Sequence, residues 1–222
     1  MPVARAVLTA LLLASVPLGG AELSGRVQVT QPPGPARGLG GSVIYLPGLH
    51  LAGTSTPPPA MVQRDKRFSP HVLVVSRGAT VAFPNEDRVW HNVFSRSAGN
   101  AFDLGLYRDG ATRSATFRSV GLVRVYCNIH ADMAAYVHVV EGNAFTVTAE
   151  DGSYRISGLP PGRHEVRAWS ELAGETTSSV ELAEGQPAEW SPTLDGSGWR
   201  PEPHPNKHGR AYPPPDADVD RY

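Results

Sequence analysis

Cys127 is the only cysteine among 222 residues, and it opens the run Cys127-Asn128-Ile129-His130-Ala131-Asp132-Met133. A thiol, an imidazole and a thioether thus fall close together in the chain. Thiolate and thioether suit reduced copper, imidazole suits both oxidation states, and two histidines, a cysteine and a weak axial methionine are the donors of an electron-transfer copper centre. The second histidine is His91, in the apolar, aromatic stretch Val89-Trp90-His91-Asn92-Val93-Phe94, which reads as an upstream β-strand. Cys127 alone would be read as a small buried hydrophobe. With His130, Met133 and His91-Asn92 beside it, metal ligation is the reading that accounts for all of them.

A lone thiol must also be chemically safe where the protein works. Arg5, the apolar run Ala6 to Val16 and the small residues Gly19-Gly20-Ala21 have the layout of an export signal over residues 1–21, with the mature chain starting near Glu22. The apolar run is too short to span a bilayer, so a periplasmic or secreted protein without a membrane span is expected. In an oxidising compartment an unpaired thiol pairs between molecules, oxidises or binds metal. Twenty basic and 21 acidic residues leave a net charge of −1, which gives no basis for nucleic-acid or anionic-membrane binding.

The elements that must position these donors read as strands throughout. Gly 23 and Pro 21 are high, and no long amphipathic helical pattern occurs, so the class is all-β. Short β-rich pieces run from Met61 to Gln63, Val72 to Val75, Thr80 to Phe83, Val89 to Phe94, Ala115 to Phe117, Leu122 to Cys127 and Tyr136 to Val140. In Leu122 to Cys127, alternation puts Val123, Val125 and Cys127 on one face and Arg124 on the other, so the thiol points inward. Further on, Thr146 to Ile156 reads as a hairpin with Asp151-Gly152 at its turn, followed by Leu159-Pro160-Pro161-Gly162 and the strand His164 to Trp169. After Leu194 few aliphatics remain to offset ordering entropy, and residues 193–222 are expected to be disordered. Asp216, Asp218 and Asp220 in that tail lack the glycine and distal glutamate of a calcium loop.

With those motifs in place, His91-Asn92, Cys127-x2-His130-x2-Met133 and Val81-Ala82-Phe83-Pro84-Asn85 resemble the cupredoxins over residues 58–142, with the short ligand loop of the amicyanin-like members. The resemblance implies a Greek-key β-sandwich. It puts His91, Cys127 and His130 in a trigonal plane around one copper per chain, Met133 at the axial position, and the Asn92 side chain as a bridge from the His91 strand to the Cys127 loop. The stretch Ser95 to Arg113 departs from the family pattern, so its partner-facing surface does not transfer. The Asp151-Gly152 turn and Leu-Pro-Pro-Gly segment resemble a small transthyretin- or carboxypeptidase-regulatory-like β-sandwich. Its opening strands match Leu23 to Val29 and Ser42 to Leu46, which predicts a split domain of residues 22–56 and 143–192 with the copper module inserted; closing so long a loop between adjacent ends costs little.

The function implied is single-electron transfer between redox proteins, such as a c-type cytochrome or a periplasmic dehydrogenase. Four filled coordination positions leave no open site for a substrate, so an enzyme is not expected. Copper delivery or storage, and surface binding by the second sandwich through Trp169 or Trp190, are the rival classes. Among the other histidines, His138 is read as an exposed strand residue, His50 and His71 as structural, and His164 as a core position; Trp90 and Tyr126 are read as packing around the site.

Overall fold

The computed structural model describes residues 20–30, 41–52, 57–201 and 203–212. The export-signal features up to Gly19 and Asp216, Asp218 and Asp220 lie outside them. All named elements among the described residues are strands, and no helix there is long and apolar enough to cross a membrane.

The chain begins with β1 (Ala21–Arg26), β2 (Gln28–Thr30) and β3 (Val43–Tyr45). It continues through β4 (Val62–Arg64), β5 (Arg67–Ser69), β6 (Val72–Ser76), β7 (Thr80–Pro84), β8 (His91–Ser95), β9 (Phe102–Tyr107), β10 (Thr112–Thr116), β11 (Gly121–Tyr126) and β12 (Ala134–Val140). It ends with β13 (Phe145–Val147), β14 (Ser153–Leu159), β15 (Gly162–Ser170), β16 (Gly174–Leu182), β17 (Pro187–Glu189) and β18 (Thr193–Asp195).

The central strands make a sheet in the order β6-β12-β11-β8-β9, faced by the β7–β10 pair, and isolated bridges Ala60–Ala82 and Gln63–Asn85 run the stretch around β4 alongside β7. Alternation decides what lies between these layers: Val123 and Val125 of β11 are buried while Arg124 is exposed, and Val81 and Phe83 of β7 are fully buried. Together with Phe117, Val93, Val137 and Val139 they form one apolar cluster, which reaches Cys127 and Met133 at one end. Fully burying a residue such as Phe83 or Phe117 contributes about 1.5–3 kcal/mol.

The flanking strands make two further sheets, β14-β1-β17 and β13-β3-β15-β16, around a second cluster that includes Leu23, Ile44, Leu46, Tyr154, Ile156, Leu159 and Val166. Strands from before and after the central unit are therefore direct neighbours: β1 pairs with β14, and β3 with β13 and β15. A third cluster joins the two halves, with Val72, Val74 and Val140 on one side and Val43, Tyr45 and Trp169 on the other.

Two expectations change here. The Asp151-Gly152 turn does not close a hairpin, because β13 pairs with β3 while β14 pairs with β1. Phe145 and Val147 pack against the third cluster and Tyr154 and Ile156 belong to the second, so the chain arches from sheet to sheet to serve both. Gly152, at φ 82°, fits the arch because a Cβ there would lie 2.3 Å from the Val27 carbonyl oxygen. The second change concerns the tail. Residues 193–201 and 203–212 are not without structure: β18 pairs in parallel with β2, Leu194 is buried in the second cluster, and residues 203–212 lie against the central unit. Backbone pairing and single side chains hold this segment, which a count of aliphatic residues misses.

Candidate metal centre

Strand β8 starts at His91, and the loop from β11 to β12 carries the other three donors. That loop closes on itself: the Cys127 amide donates to the Met133 carbonyl (3.1 Å) and the Met133 amide to the His130 carbonyl (3.1 Å). His91 and Cys127 have no exposed surface, Met133 is 1 % exposed and packs in the cluster containing Cys127, and His130 is partly exposed.

Three donor atoms converge. The Nδ1 atoms of His91 and His130 lie 3.1 Å apart, and Cys127 Sγ lies 4.0 Å and 3.7 Å from them. Nitrogen and sulfur donors bind a small transition-metal ion at about 2.0–2.3 Å, which spaces donors arranged around one ion by roughly 3–4 Å. The three fit such an ion, and His91, Cys127 and His130 are the group of metal-capable side chains that stands together among the described residues.

Electrostatics prepare these atoms. Burial pushes the Cys127 thiol up, opposed by the backbone amides of Asn92, Ile129 and His130, which point at the sulfur and favour its anion. Burial likewise pushes His91 down, so its ring is held neutral, as a metal ligand must be. Against that pull, the Asp87 carboxylate sits 2.7 Å from His91 Nε2. This contact places the ring proton on Nε2 and leaves Nδ1 with its lone pair toward the cluster. Asp87 is itself fixed by the amides of Asp65 (2.7 Å) and Lys66 (2.9 Å), the two residues of the β4–β5 turn, both at φ 54°. Burial alone would raise the Asp87 carboxyl, yet those two amides and the His91 ring hold it below the usual carboxylate range.

The expected side-chain bridge from Asn92 runs elsewhere. Its Nδ2 donates to Asp103 Oδ1 on β9 (2.7 Å), and it is the Asn92 backbone amide that reaches Cys127. The cause is Asp103, an acceptor on the neighbouring strand β9, which also takes the Gly105 amide and Lys207 Nζ.

Sequence reasoning missed Asp87, Asp103, His204 and Tyr212. The His204 ring stacks on Tyr126 at 3.8 Å and its Nε2 lies 2.9 Å from the Ala131 carbonyl, while the Tyr212 hydroxyl donates to the Cys127 carbonyl (2.7 Å). Only the spacing of Asp87 four residues before His91 was a usable signal. His138 is buried, not exposed, because the third cluster covers it: its ring meets Tyr45 at 5.2 Å and Trp169 at 5.5 Å, far from the donors' loop in the pairing of β11 and β12. His71 lies 2.7 Å from Glu171, His50 is exposed, and His164 is only half-buried on the Pro160 carbonyl instead of in the core. Trp90 is exposed beneath Arg108, whereas Tyr126 packs between Phe94 and His204.

No protein-family profile and no curated protein matches the chain. Among solved structures, a purple cupredoxin from Nitrosopumilus maritimus aligns over 36 % of this chain and 98 % of its own, at 22 % identity and a TM-score of 0.34. A reduced Cu(I) form of an amicyanin variant aligns over 43 % of this chain and 97 % of its own, at 20 % identity and a TM-score of 0.35. A copper-containing nitrite reductase from Thermus scotoductus aligns over 40 % of this chain but only 23 % of its own, at 24 % identity and a TM-score of 0.37. Among the described residues the named elements make an all-β structure, and cupredoxins are among its structural neighbours at low identity and partial coverage.

Proposed function

We propose that the chain is an exported type 1 (blue) copper protein that carries single electrons between redox partners and turns over no substrate. One observation carries the reading: the two Nδ1 atoms and the Cys127 sulfur meet within 4.0 Å in a buried site. Copper bound there supplies a one-electron Cu(I)/Cu(II) couple. His91, Cys127 and His130 would hold it, with the Met133 thioether as a further soft donor. The residues' own work is positional. Asp87 fixes the His91 tautomer, three backbone amides favour the thiolate, and the apolar cluster under Met133 keeps water from the donors. His130, the donor with an exposed edge, is the side from which a partner would exchange an electron.

The same reading includes the split organisation, with residues 58–142 inserted into a unit built from 22–56 and 143–192. The pairing of β1 with β14 and of β3 with β13 supports it; Leu194 in the second cluster moves its end slightly past 192. Copper delivery is the rival function, and buried donors argue against the fast exchange it needs.

Titration of the purified protein with Cu(II), followed by visible absorption, tests the proposal. One equivalent should produce an intense thiolate-to-copper band that Cys127→Ser abolishes. A protein that takes up copper without that band, or a variant that keeps the colour, would end the electron-carrier reading.

A further inference from the structure

We propose that residues 203–212 are a clamp that holds the Cys127–Met133 loop closed, with Tyr212 and His204 as its positioning residues. The segment follows β18 in the chain and meets the loop at three points, two backbone carbonyls and one side-chain amide oxygen. Tyr212 donates its hydroxyl to the carbonyl of Cys127 at the loop's first residue (2.7 Å). Lys207 donates its amide to Asn128 Oδ1 (3.0 Å). His204 Nε2 meets the Ala131 carbonyl (2.9 Å), two residues before the loop ends.

The grip is braced on fixed structure. The His204 ring lies on Tyr126 at 3.8 Å with 21° between planes, and Tyr126 is the last residue of β11. Lys207 Nζ pairs with Asp103 Oδ2 at 2.8 Å, on the carboxylate that also binds Asn92 beside His91. Within the segment, Asn206 Oδ1 accepts the amides of His208 (3.0 Å) and Arg210 (3.1 Å), which holds the turn that brings Tyr212 back to His204. The two loop carbonyls the clamp takes, of Cys127 and Ala131, are not ones the loop's internal hydrogen bonds use. Without the clamp those carbonyls would turn to water, and the loop would keep its own short backbone bonds, the burial of Met133 and the contacts of Cys127 and His130 with β8.

In the copper reading of the site the clamp sets how slowly the metal leaves; apart from that reading it still sets how often Cys127, which has no exposed surface, is uncovered. The experiment therefore has a readout that needs no metal. Alkylation of Cys127 by iodoacetamide in the metal-free, reduced full-length protein is timed for wild type, Tyr212→Phe, His204→Ala and His204→Gln. Loss of one hydrogen bond corresponds to about a two- to tenfold change in opening, so Tyr212→Phe should react about that much faster. His204→Ala, which also loses the stack on Tyr126, should exceed it, and His204→Gln, which keeps a donor, should fall between Ala and wild type.

Amide hydrogen exchange of β8 and β12 in the same samples separates a local clamp from general loosening. Equal alkylation rates in all four proteins would overturn the proposal, as would accelerated exchange of β8 and β12 in step with Cys127. Copper release to a chelator, timed in the same variants, should rank in the same order. A wild type that binds no copper would refute the proposed function while leaving the alkylation contrast standing.

Discussion

Asp87→Asn removes the charge behind His91 and keeps the shape of the contact. Asp87 Oδ2 is 2.7 Å from His91 Nε2, its side chain is 14 % exposed, and two backbone amides hold it in place. The contact is charge-assisted, worth about 1.5–3 kcal/mol, against about 0.5–1.5 kcal/mol for a neutral pair. In the proposed copper site the carboxylate would push electron density through the ring toward Nδ1 and so favour the more highly charged oxidised state over the reduced one. Losing roughly 1–2 kcal/mol of that preference raises the one-electron potential by about 40–85 mV, since each tenfold change, about 1.4 kcal/mol, is about 59 mV. Voltammetry of fully loaded wild type and variant, with copper content checked in each, reads the shift directly. An unchanged or lowered potential in the loaded variant would mean that Asp87 does not act on the metal through His91.

Met133→Gln replaces a soft thioether by a harder oxygen, and the potential should fall by about one or two steps of 59 mV; no fall in a loaded variant would take Met133 out of the coordination sphere. Phe117→Ala, which empties a fully buried position beside Phe102, should cost about 3–5 kcal/mol in urea unfolding of the metal-free protein. Burial pushes His138 below its ordinary 6.5, only partly offset by Glu175, and no partner for its Nδ1 is found among the described residues. The unfolded chain therefore takes up the proton first: stability is full above about pH 6.5 and falls as the pH drops toward the lowered folded value, by at most about 1.4 kcal/mol per pH unit. Chemical denaturation at pH 7.5 and 5.5 should show this loss in wild type and a smaller one in His138→Phe.

What the sequence could disclose followed from local rules. The strands β6, β7, β11 and β12 were readable because alternation and β-branched residues mark a half-buried surface wherever they occur, and the inward turn of Cys127 followed from Val123 and Val125. The convergence of His91, Cys127 and His130 was readable because two of them sit on one loop. The partners of those donors were not, since Asp87 is steered by a turn at Asp65-Lys66 and the ligand loop is met by Tyr212, both set by tertiary placement. The burial of His138 is hidden from the sequence for a similar reason: one face of β12 looks outward only until the β3–β15 sheet covers it. Asn92 was assigned a partner by family pattern, and Asp103 on β9 competed successfully for it.

The pairing of β3 with β13 also fixes an order of events during synthesis. Tyr45 faces Phe145, a hundred positions later in the chain, so the segment Val43-Ile44-Tyr45-Leu46 leaves the ribosome with no strand to meet. Every one of those side chains is buried in the finished protein, and the segment carries no charge. Until the whole intervening unit has been made, it is an apolar, strand-forming stretch with open edges, the kind that sticks to other chains. The newborn polypeptide thus carries residues 43–46 as an exposed apolar stretch until β13 has been made, and a holding chaperone would gain by covering it.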